Sequence, residues 1–360
     1  MNEESTVKAY SLKVPKELGE RAIRLAASVD LLSRSLKIRS DNGCLYVPLT
    51  RSPLPNHTEK IREALPRFDV LVQDFSTRIR PSKAAFEAAG DRLPPHLLAS
   101  FPRSIDLVGD IAVVEVPPEL EEHKELVGEA ILEAHKQART VLAKSSAISG
   151  VCRLRDYEVI AGSQKTETVH KEHGCRYHLD LRKVYFSPRL SHEHSRVASQ
   201  VEENETVIDM FAGVGPFSVL IAKTHVNVKV YAVDVNPDAV RYLERNIAVN
   251  GVVEKVVPIL GDARDVVCER LRGTADRVIM NLPERASEYL DSACQAVKPE
   301  GGVIHYYEFA EGPNPLETAK DRLVKAFRGA NRKAETFLSA RTVREVAPYK
   351  WQVALDARIS

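Results

Sequence analysis

The chain of 360 residues is 44% hydrophobic and carries 51 Lys and Arg against 50 Asp and Glu. That length calls for two or three domains with cores of their own, and that balance excludes a polyelectrolyte. No apolar run is long enough to cross a bilayer, Met1–Thr6 lacks the parts of a secretory leader, and five cysteines without a Cys-x-x-Cys pair fit neither a disulfide framework nor a zinc finger. A cytoplasmic protein with no membrane partner is expected.

The first fifty residues read as a small βαββ unit. A strand near Val7 to Val14 precedes a helix from Lys16 to Leu32, whose Leu18, Ala22, Leu25, Val29 and Leu32 share a face. Strands Leu36 to Arg39 and Cys44 to Leu49 flank the hairpin signal Ser40-Asp-Asn-Gly43. Arg51-Ser-Pro-Leu-Pro-Asn-His57 marks a boundary, and residues 1–70 are assigned to a small N-terminal recognition domain.

Residues 75–185 read as an α+β middle domain. Ile105 to Val108 and Ile111 to Val116 bracket Gly109-Asp110, and Pro117-Pro118 ends the second run. Glu119 to Lys144 is predicted as one long packing helix, with Leu120, Val127, Ile131, Ala138 and Leu142 as its apolar stripe. Strands follow at Arg153 to Ile160, Thr166 to His170 and Cys175 to Leu181, and Val184 to Leu190 is a hinge into a third domain, residues 186–360. His170, His173, His178, His192 and His194 crowd this region at spacings that match no ligand set, so no metal site is expected. Residues 151–200 hold nine Lys or Arg against six Asp or Glu, whereas 101–150 hold five against nine, which permits a basic face despite the neutral average.

The third domain carries the chemistry. In Val207-Ile-Asp-Met-Phe-Ala-Gly-Val-Gly-Pro-Phe-Ser218 an apolar run stops at Asp209 and turns through Gly213 and Gly215. The next strand ends on Asp234, placed to accept from ribose hydroxyls, and Val256 to Leu260 leads into Gly261-Asp262-Ala263. A dinucleotide site needs a third glycine and a free helix N-terminus, but here those positions hold Ser218 and Pro216. Three strand-end acids describe a pocket for an uncharged adenosyl group. Residues from about 190 onward therefore read as an S-adenosylmethionine-dependent methyltransferase domain, a doubly wound Rossmann-like α/β sheet. A fourth strand, Arg277 to Met280, ends at Asn281-Leu-Pro-Glu284, where methyltransferases of exocyclic amino groups often read Asn/Asp-Pro-Pro-aromatic. With Leu and Glu in place of Pro and the ring, the stacking partner for a flipped base must come from elsewhere, and Tyr185 is the candidate.

At this point the chain resembles, over nearly its whole length, the archaeal and eukaryotic tRNA (guanine-37-N1)-methyltransferases. The resemblance rests on Ala161-Gly-Ser163, Thr166 to Gly174, Lys183-Val-Tyr-Phe-Ser-Pro-Arg-Leu190, Asp209 to Phe217, Asn281-Leu-Pro283, Gly302-Val-Ile-His-Tyr-Tyr307, Ala347-Pro-Tyr349 and Ala354-Leu-Asp356. It implies methyl transfer from S-adenosylmethionine to N1 of guanine 37, with tRNA bound through its anticodon loop and the outer corner of its L, by a monomer.

By the same resemblance Glu193 is the general base, Arg153 faces O6 of guanine and Asn281 adds a polar contact there. Tyr185 and Pro283 confine the base. The cofactor is expected against Arg189, the turn residues Asp209, Phe211, Gly213, Gly215 and Phe217, the strand-end pairs Asp234–Val235 and Asp262–Ala263, and Asn281. Taken alone, Glu193 reads as an acid in a helix's first turn, and Arg153 as a surface partner. Magnesium acting through the tRNA is left open. Methylation or aminocarboxypropyl transfer on the tricyclic wyosine precursor at the same nucleotide is the alternative activity, and a non-catalytic tRNA-binding protein the remote one.

Overall fold

Leu12 and Val14 are buried on one side of β1 (Thr6–Pro15), and that apolar pair anchors the N-terminal sheet. A 3-10 turn at Lys16–Leu18 leads into α1 (Gly19–Ser28), whose Ala22 and Ala26 face the same core. β2 (Arg39–Asp41), β3 (Cys44–Pro48), α2 (Pro55–Ala64) and β4 (Asp69–Ser76) complete an antiparallel sheet of order β2-β3-β1-β4. The computed structural model describes residues 6–29, 31–33, 36, 38–41, 43–76, 81–90, 92–147, 150, 152–312, 314–347 and 349–360. It divides into two units, Met1–Ala84 and Ala85–Ser360.

The first unit differs from the sequence expectation in three respects. The helix ends at Ser28, short of Leu32. Of the strand expected at 36–39 only Arg39 enters β2, and Lys37, like Asn42 of the hairpin turn, lies outside the described residues. The boundary drawn between 70 and 75 falls inside β4, which pairs with β1 from Thr6↔Ser76 to Lys13↔Asp69. A backbone ladder holds β4, and its Val70, Leu71 and Val72 stay exposed, so side-chain patterning gives no sign of it.

The second unit begins within α3 (Pro81–Gly90), followed by the single turn α4 (Pro95–Leu98). β5 (Ile105–Val108) and β6 (Ile111–Val114) form the expected hairpin. The long helix does not form. A 3-10 turn at Pro118–His123 and α5 (Lys124–Ala134) are followed by a strand, β7 (Thr140–Lys144), parallel to β6. Ala138 and Leu142 fall at helical spacing from Ile131, but β-branched Thr140 and Val141 are buried with Leu142 and Ala143 in a strand. The crossover from β6 through α5 to β7 is therefore a βαβ unit. β8 (Tyr157–Gly162) closes the sheet β5-β6-β7-β8. β9 (Glu167–Glu172) and β10 (Cys175–Asp180) pair through His173 and Gly174, both at positive φ as a two-residue hairpin turn requires.

After α6 (Ser191–Ala198) the doubly wound sheet begins: β11 (Thr206–Asp209), α7 (Pro216–Thr224), β12 (Lys229–Asp234), α8 (Pro237–Asn250), β13 (Val256–Leu260), α9 (Ala263–Val266), β14 (Arg277–Met280), α10 (Leu290–Ala296) and β15 (Gly302–Glu311). α11 (Pro315–Gly329) leads to β16 (Ala334–Ala347) and β17 (Lys350–Ile359). The order is β13-β12-β11-β14-β15-β17-β16, parallel through β15 and antiparallel at β17 and β16. Strand order reverses between β11 and β14, which opens a crevice at their C-terminal ends. Middle-region residues Val108, Leu142 and Tyr177 share one core with Val207, Phe217 and Leu243, so the expected hinge at 184–190 runs through continuous packing. No helix among the described residues is long and apolar enough to cross a membrane.

Gly109 joins the β9–β10 hairpin to the β5–β6 turn. Its N–H donates to His170 Nδ1 at 3.2 Å, and at φ +57° an added Cβ would lie 2.6 Å from the Val169 carbonyl oxygen. Gly109→Ala is expected to lower stability by about 2–4 kcal/mol, seen as a lower urea midpoint at unchanged m-value.

Candidate active site

The crevice is organised by one carboxylate. Asp234, at the end of β12, accepts from the Gly213 N–H at 2.7 Å and from the Asn236 N–H at 2.9 Å. The first bond fixes the turn after β11; the second fixes the entry to α8, whose N-terminus the Asn236 side chain caps by accepting from the Asp238 N–H at 3.0 Å. Asn236 Nδ2 also donates to the Lys183 carbonyl at 2.8 Å, which secures the segment carrying Tyr185. Gly215, at φ +91°, has no room for a Cβ, which would stand 2.5 Å from Leu243 Cδ1. Pro216 follows as the first residue of α7 and removes an N–H that a phosphate would need.

A cavity opens over these strand ends. Phe211, Gly213, Phe217, Asp234, Val235, Asp262, Ala263 and Asn281 form the side belonging to the doubly wound sheet, and Cys152, Arg153, Tyr185 and Phe186 form the facing side. Phe211 meets Tyr289 edge-on at 4.9 Å, and the Arg264 guanidinium lies 4.7 Å above the same Tyr289 ring. Both arginines of the wall among the described residues have an acid, Arg285 with Glu288 at 2.6 Å and Arg153 with Glu284 at 3.2 Å, and Arg264 beside it pairs with Asp262 at 2.6 Å. Aromatic edges and paired charges suit an uncharged adenosyl group and, among the described residues of the wall, leave no cation free for a pyrophosphate. The hydrogen bond from Arg264 holds Asp262 below the usual carboxylate range.

Two polar atoms of the wall are buried without a partner among the described residues: Arg153 Nε, a donor, and Asn281 Oδ1, an acceptor. Native interiors rarely leave such groups unpaired unless a ligand supplies the partner. The Arg153 guanidinium also rests on the Tyr185 ring, 4.4 Å from its centroid.

Five expected site residues stand elsewhere. Asp209 is fully buried beneath the turn, where its Oδ2 accepts from Ser218 Oγ at 2.7 Å. Burial and the neighbouring Asp234 charge push its carboxyl up to about 7, against the Ser218 and Phe211 donors. Gly215 packs against α8 behind the wall, and Pro283 is buried, its carbonyl accepting from the Phe309 N–H at 3.2 Å. Arg189 turns to the middle sheet, donating to Asp106 Oδ1 at 2.6 Å and Ser104 Oγ at 2.7 Å, because those acceptors satisfy its fork.

Glu193 is the fifth. It is 2% exposed and accepts from Arg196 Nε at 3.0 Å and the Tyr307 hydroxyl at 2.9 Å, with Arg341 on its other oxygen. Its neighbour His194 is on the wall instead, bonded through Nδ1 to buried Glu172 at 2.7 Å and edge-on to Phe217. Burial alone would raise Glu172, but His170 and His194 bring it down to about 2. Sequence reasoning missed His194, Glu284 and Tyr289 as wall residues. Glu284 had a signal, since it replaces the aromatic of the strand-end motif; Tyr289 had none.

Residues 168–336 match the TRM5/TYW2 methyltransferase domain, 86–166 the TYW2 N-terminal domain and 11–55 the tRNA methyltransferase 5 N-terminal domain. The chain is 38% identical to the tRNA (guanine(37)-N(1))-methyltransferase Trm5b of Pyrococcus abyssi, across 97% of this chain and 99% of that one. The chain belongs to the Trm5 family of methyltransferases. A relative of the same description from Methanocaldococcus jannaschii is 34% identical, over 97% of this chain and 98% of that one. Among solved structures, Pyrococcus abyssi Trm5b superposes with a TM-score of 0.69 (38% identity, 98% and 99% covered). The complex of aTrm5 with tRNALeu superposes at 0.67 (33% identity, 97% and 99% covered). Methanocaldococcus jannaschii TYW2, solved in complex with AdoMet, superposes at 0.57 (30% identity, 71% and 99% covered). The methyltransferase domain and the AdoMet bound by that TYW2 support S-adenosylmethionine as the cosubstrate, in agreement with the acid-edged cavity.

Two variants separate ligand contact from support. Asp234→Ala removes the acceptor for two backbone N–H groups and is expected to weaken S-adenosylmethionine binding by about 100-fold in calorimetry. Asp209→Asn tests the buried acid. Asp209 keeps its proton to about pH 7 when folded, whereas the unfolded side chain loses it near 3.8, so this group costs stability as pH rises between those values. The Asn variant should match wild type near pH 4 and exceed it at pH 8 by up to about 4 kcal/mol in urea unfolding.

Proposed function

We propose that this chain methylates N1 of guanine 37 in tRNA, with Glu193 as the base. The observation that carries the reading is the pairing of Arg153 Nε and Asn281 Oδ1, an unsatisfied donor and an unsatisfied acceptor on the wall of one cavity. Guanine presents the complement on one edge: O6 accepts, while N1–H and the N2 amino group donate. Tyr185, already beneath the Arg153 guanidinium, supplies the face on which the flipped base stacks.

Guanine N1 carries a proton at neutral pH, so its lone pair becomes nucleophilic only as that proton leaves. Glu193 receives it. The N1–methyl bond forms as the bond from the methyl to the donor's sulfur breaks, and the sulfonium becomes a neutral thioether. Negative charge gathers on O6, where Arg153 stabilises it. For this step Glu193 exchanges Arg341, which remains partly exposed, for the base, while Arg196 and Tyr307 hold its other oxygen. Binding is expected through the anticodon loop and the outer corner of the tRNA, by a cytoplasmic monomer.

A second reading follows from the match of residues 86–166 to the TYW2 N-terminal domain: the tricyclic wyosine precursor at the same nucleotide as a further substrate. Incubation with methyl-labelled S-adenosylmethionine, transcripts bearing G or A at position 37 and tRNA carrying the tricyclic precursor there, followed by nucleoside mass analysis, decides between them. One methyl on guanosine, only in the G transcript, is expected; label on the tricycle alone would favour the second reading. Glu193→Gln should retain cofactor and tRNA affinity within about threefold while single-turnover methylation falls by at least about 100-fold. Wild-type turnover in that variant would remove Glu193 from the role of base.

A further inference from the structure

Tyr185 separates two cavities. On its far side lies a second one, whose wall includes Tyr157 of β8, Lys144 of β7, Arg155 and the stretch 344–346 of β16. Arg153, Tyr185, Phe186 and Ser187 belong to both walls, so the two spaces meet at the ring proposed to stack the base.

Five cations line this second space, and three have acid partners: Arg189 with Asp106 at 2.6 Å, Arg153 with Glu284 at 3.2 Å and Lys144 with Glu115 at 3.5 Å. Arg155 and Arg344 have none among the described residues. Arg155 Nε is buried without a hydrogen-bond partner, and Arg344 Nε donates to the neutral Gln352 amide at 2.9 Å. The buried Arg155 Nε lacks an acceptor, both guanidinium groups are only partly buried and without an acid, and their planar forks suit phosphate oxygens. The backbone of an RNA cannot follow its base into the cofactor cavity. A nucleotide whose base passes Tyr185 must therefore leave its phosphodiester on the outer side of the ring, where these two arginines stand.

We propose that Arg155 and Arg344 form a phosphodiester-binding subsite for the RNA backbone at the flipped nucleotide. This rests on RNA as the substrate but not on which atom is methylated. The test measures binding of the full chain to a G37 tRNA transcript and to its isolated anticodon stem-loop, across about 0.05–0.3 M KCl. For Arg155→Gln and for Arg344→Gln, affinity for both RNAs is expected to fall about 10-fold near 0.1 M salt, and the slope of log affinity against log salt to shrink by about 0.7–0.9. Affinity for S-adenosylmethionine without RNA should stay at the wild-type value, which also reports an intact fold. An unchanged salt slope would overturn the subsite. So would a loss confined to full-length tRNA, which places the contact away from the target nucleotide, or an equal loss of S-adenosylmethionine affinity, which assigns the arginines to the cofactor's carboxylate or to the fold. Methylation at an atom other than N1, with the slope change present, would contradict the proposed function and leave the subsite standing.

Discussion

A carboxylate at the end of a buried strand, held by two backbone N–H groups, is the constraint on which the site depends. Asp234 ties the Gly213 turn to the start of α8, and Asn236 extends the tie to the segment bearing Tyr185. The adenosyl side of the cavity and the base side are therefore positioned by one short chain of hydrogen bonds. Burial raises the Asp234 carboxyl, and the N–H groups of Asn236 and Gly213 that shape the turn oppose that shift.

A second network stands behind the wall. Arg196 joins Glu193 to Asp356, which accepts from His305 Nδ1 at 2.7 Å, and His305 meets Arg277, bonded in turn to Glu205 at 2.9 Å. The antiparallel return of β17 makes this possible, because its register sets Asp356 directly opposite His305 on β15. Burial would raise Asp356, but His305 and Arg196 hold it far below the usual carboxylate range. Removing one member would leave a buried charge without its partner, a larger loss than the net worth of the pair. β17, set between β15 and β16, thus also supplies the acid that orients the arginine behind Glu193.

The strand ends were legible because parallel strands and their turns obey a fixed spacing: Asp234, Asp262 and Asn281 could be placed on one edge from sequence. Contacts between distant segments were not. Arg153 and Tyr185 come to the cavity across a sheet and a hairpin; the family resemblance alone marked Arg153, whereas Tyr185 was also suggested by the missing aromatic at Glu284. Pairing of Arg153 with Glu284, and of Arg189 with Asp106, joins residues far apart in the chain, which no local pattern announces. The strand Thr140–Lys144 was hidden by apolar residues that happened to keep a helical interval, and β4 by a ladder made of backbone. Gly215 and Pro283 show a further limit: a motif residue can shape a wall without being part of its surface.

In the proposed reaction sulfonium and purine meet in this one crevice, with Glu193 released from Arg341 to take the ring proton. The most direct measurement is a crystal structure of the chain with S-adenosylhomocysteine and a G37 anticodon stem-loop. Guanine is expected stacked on Tyr185, with O6 at Arg153 and a Glu193 carboxylate oxygen within about 3.2 Å of N1. A base bound elsewhere, with Glu193 still enclosed by Arg196, Tyr307 and Arg341, would contradict it.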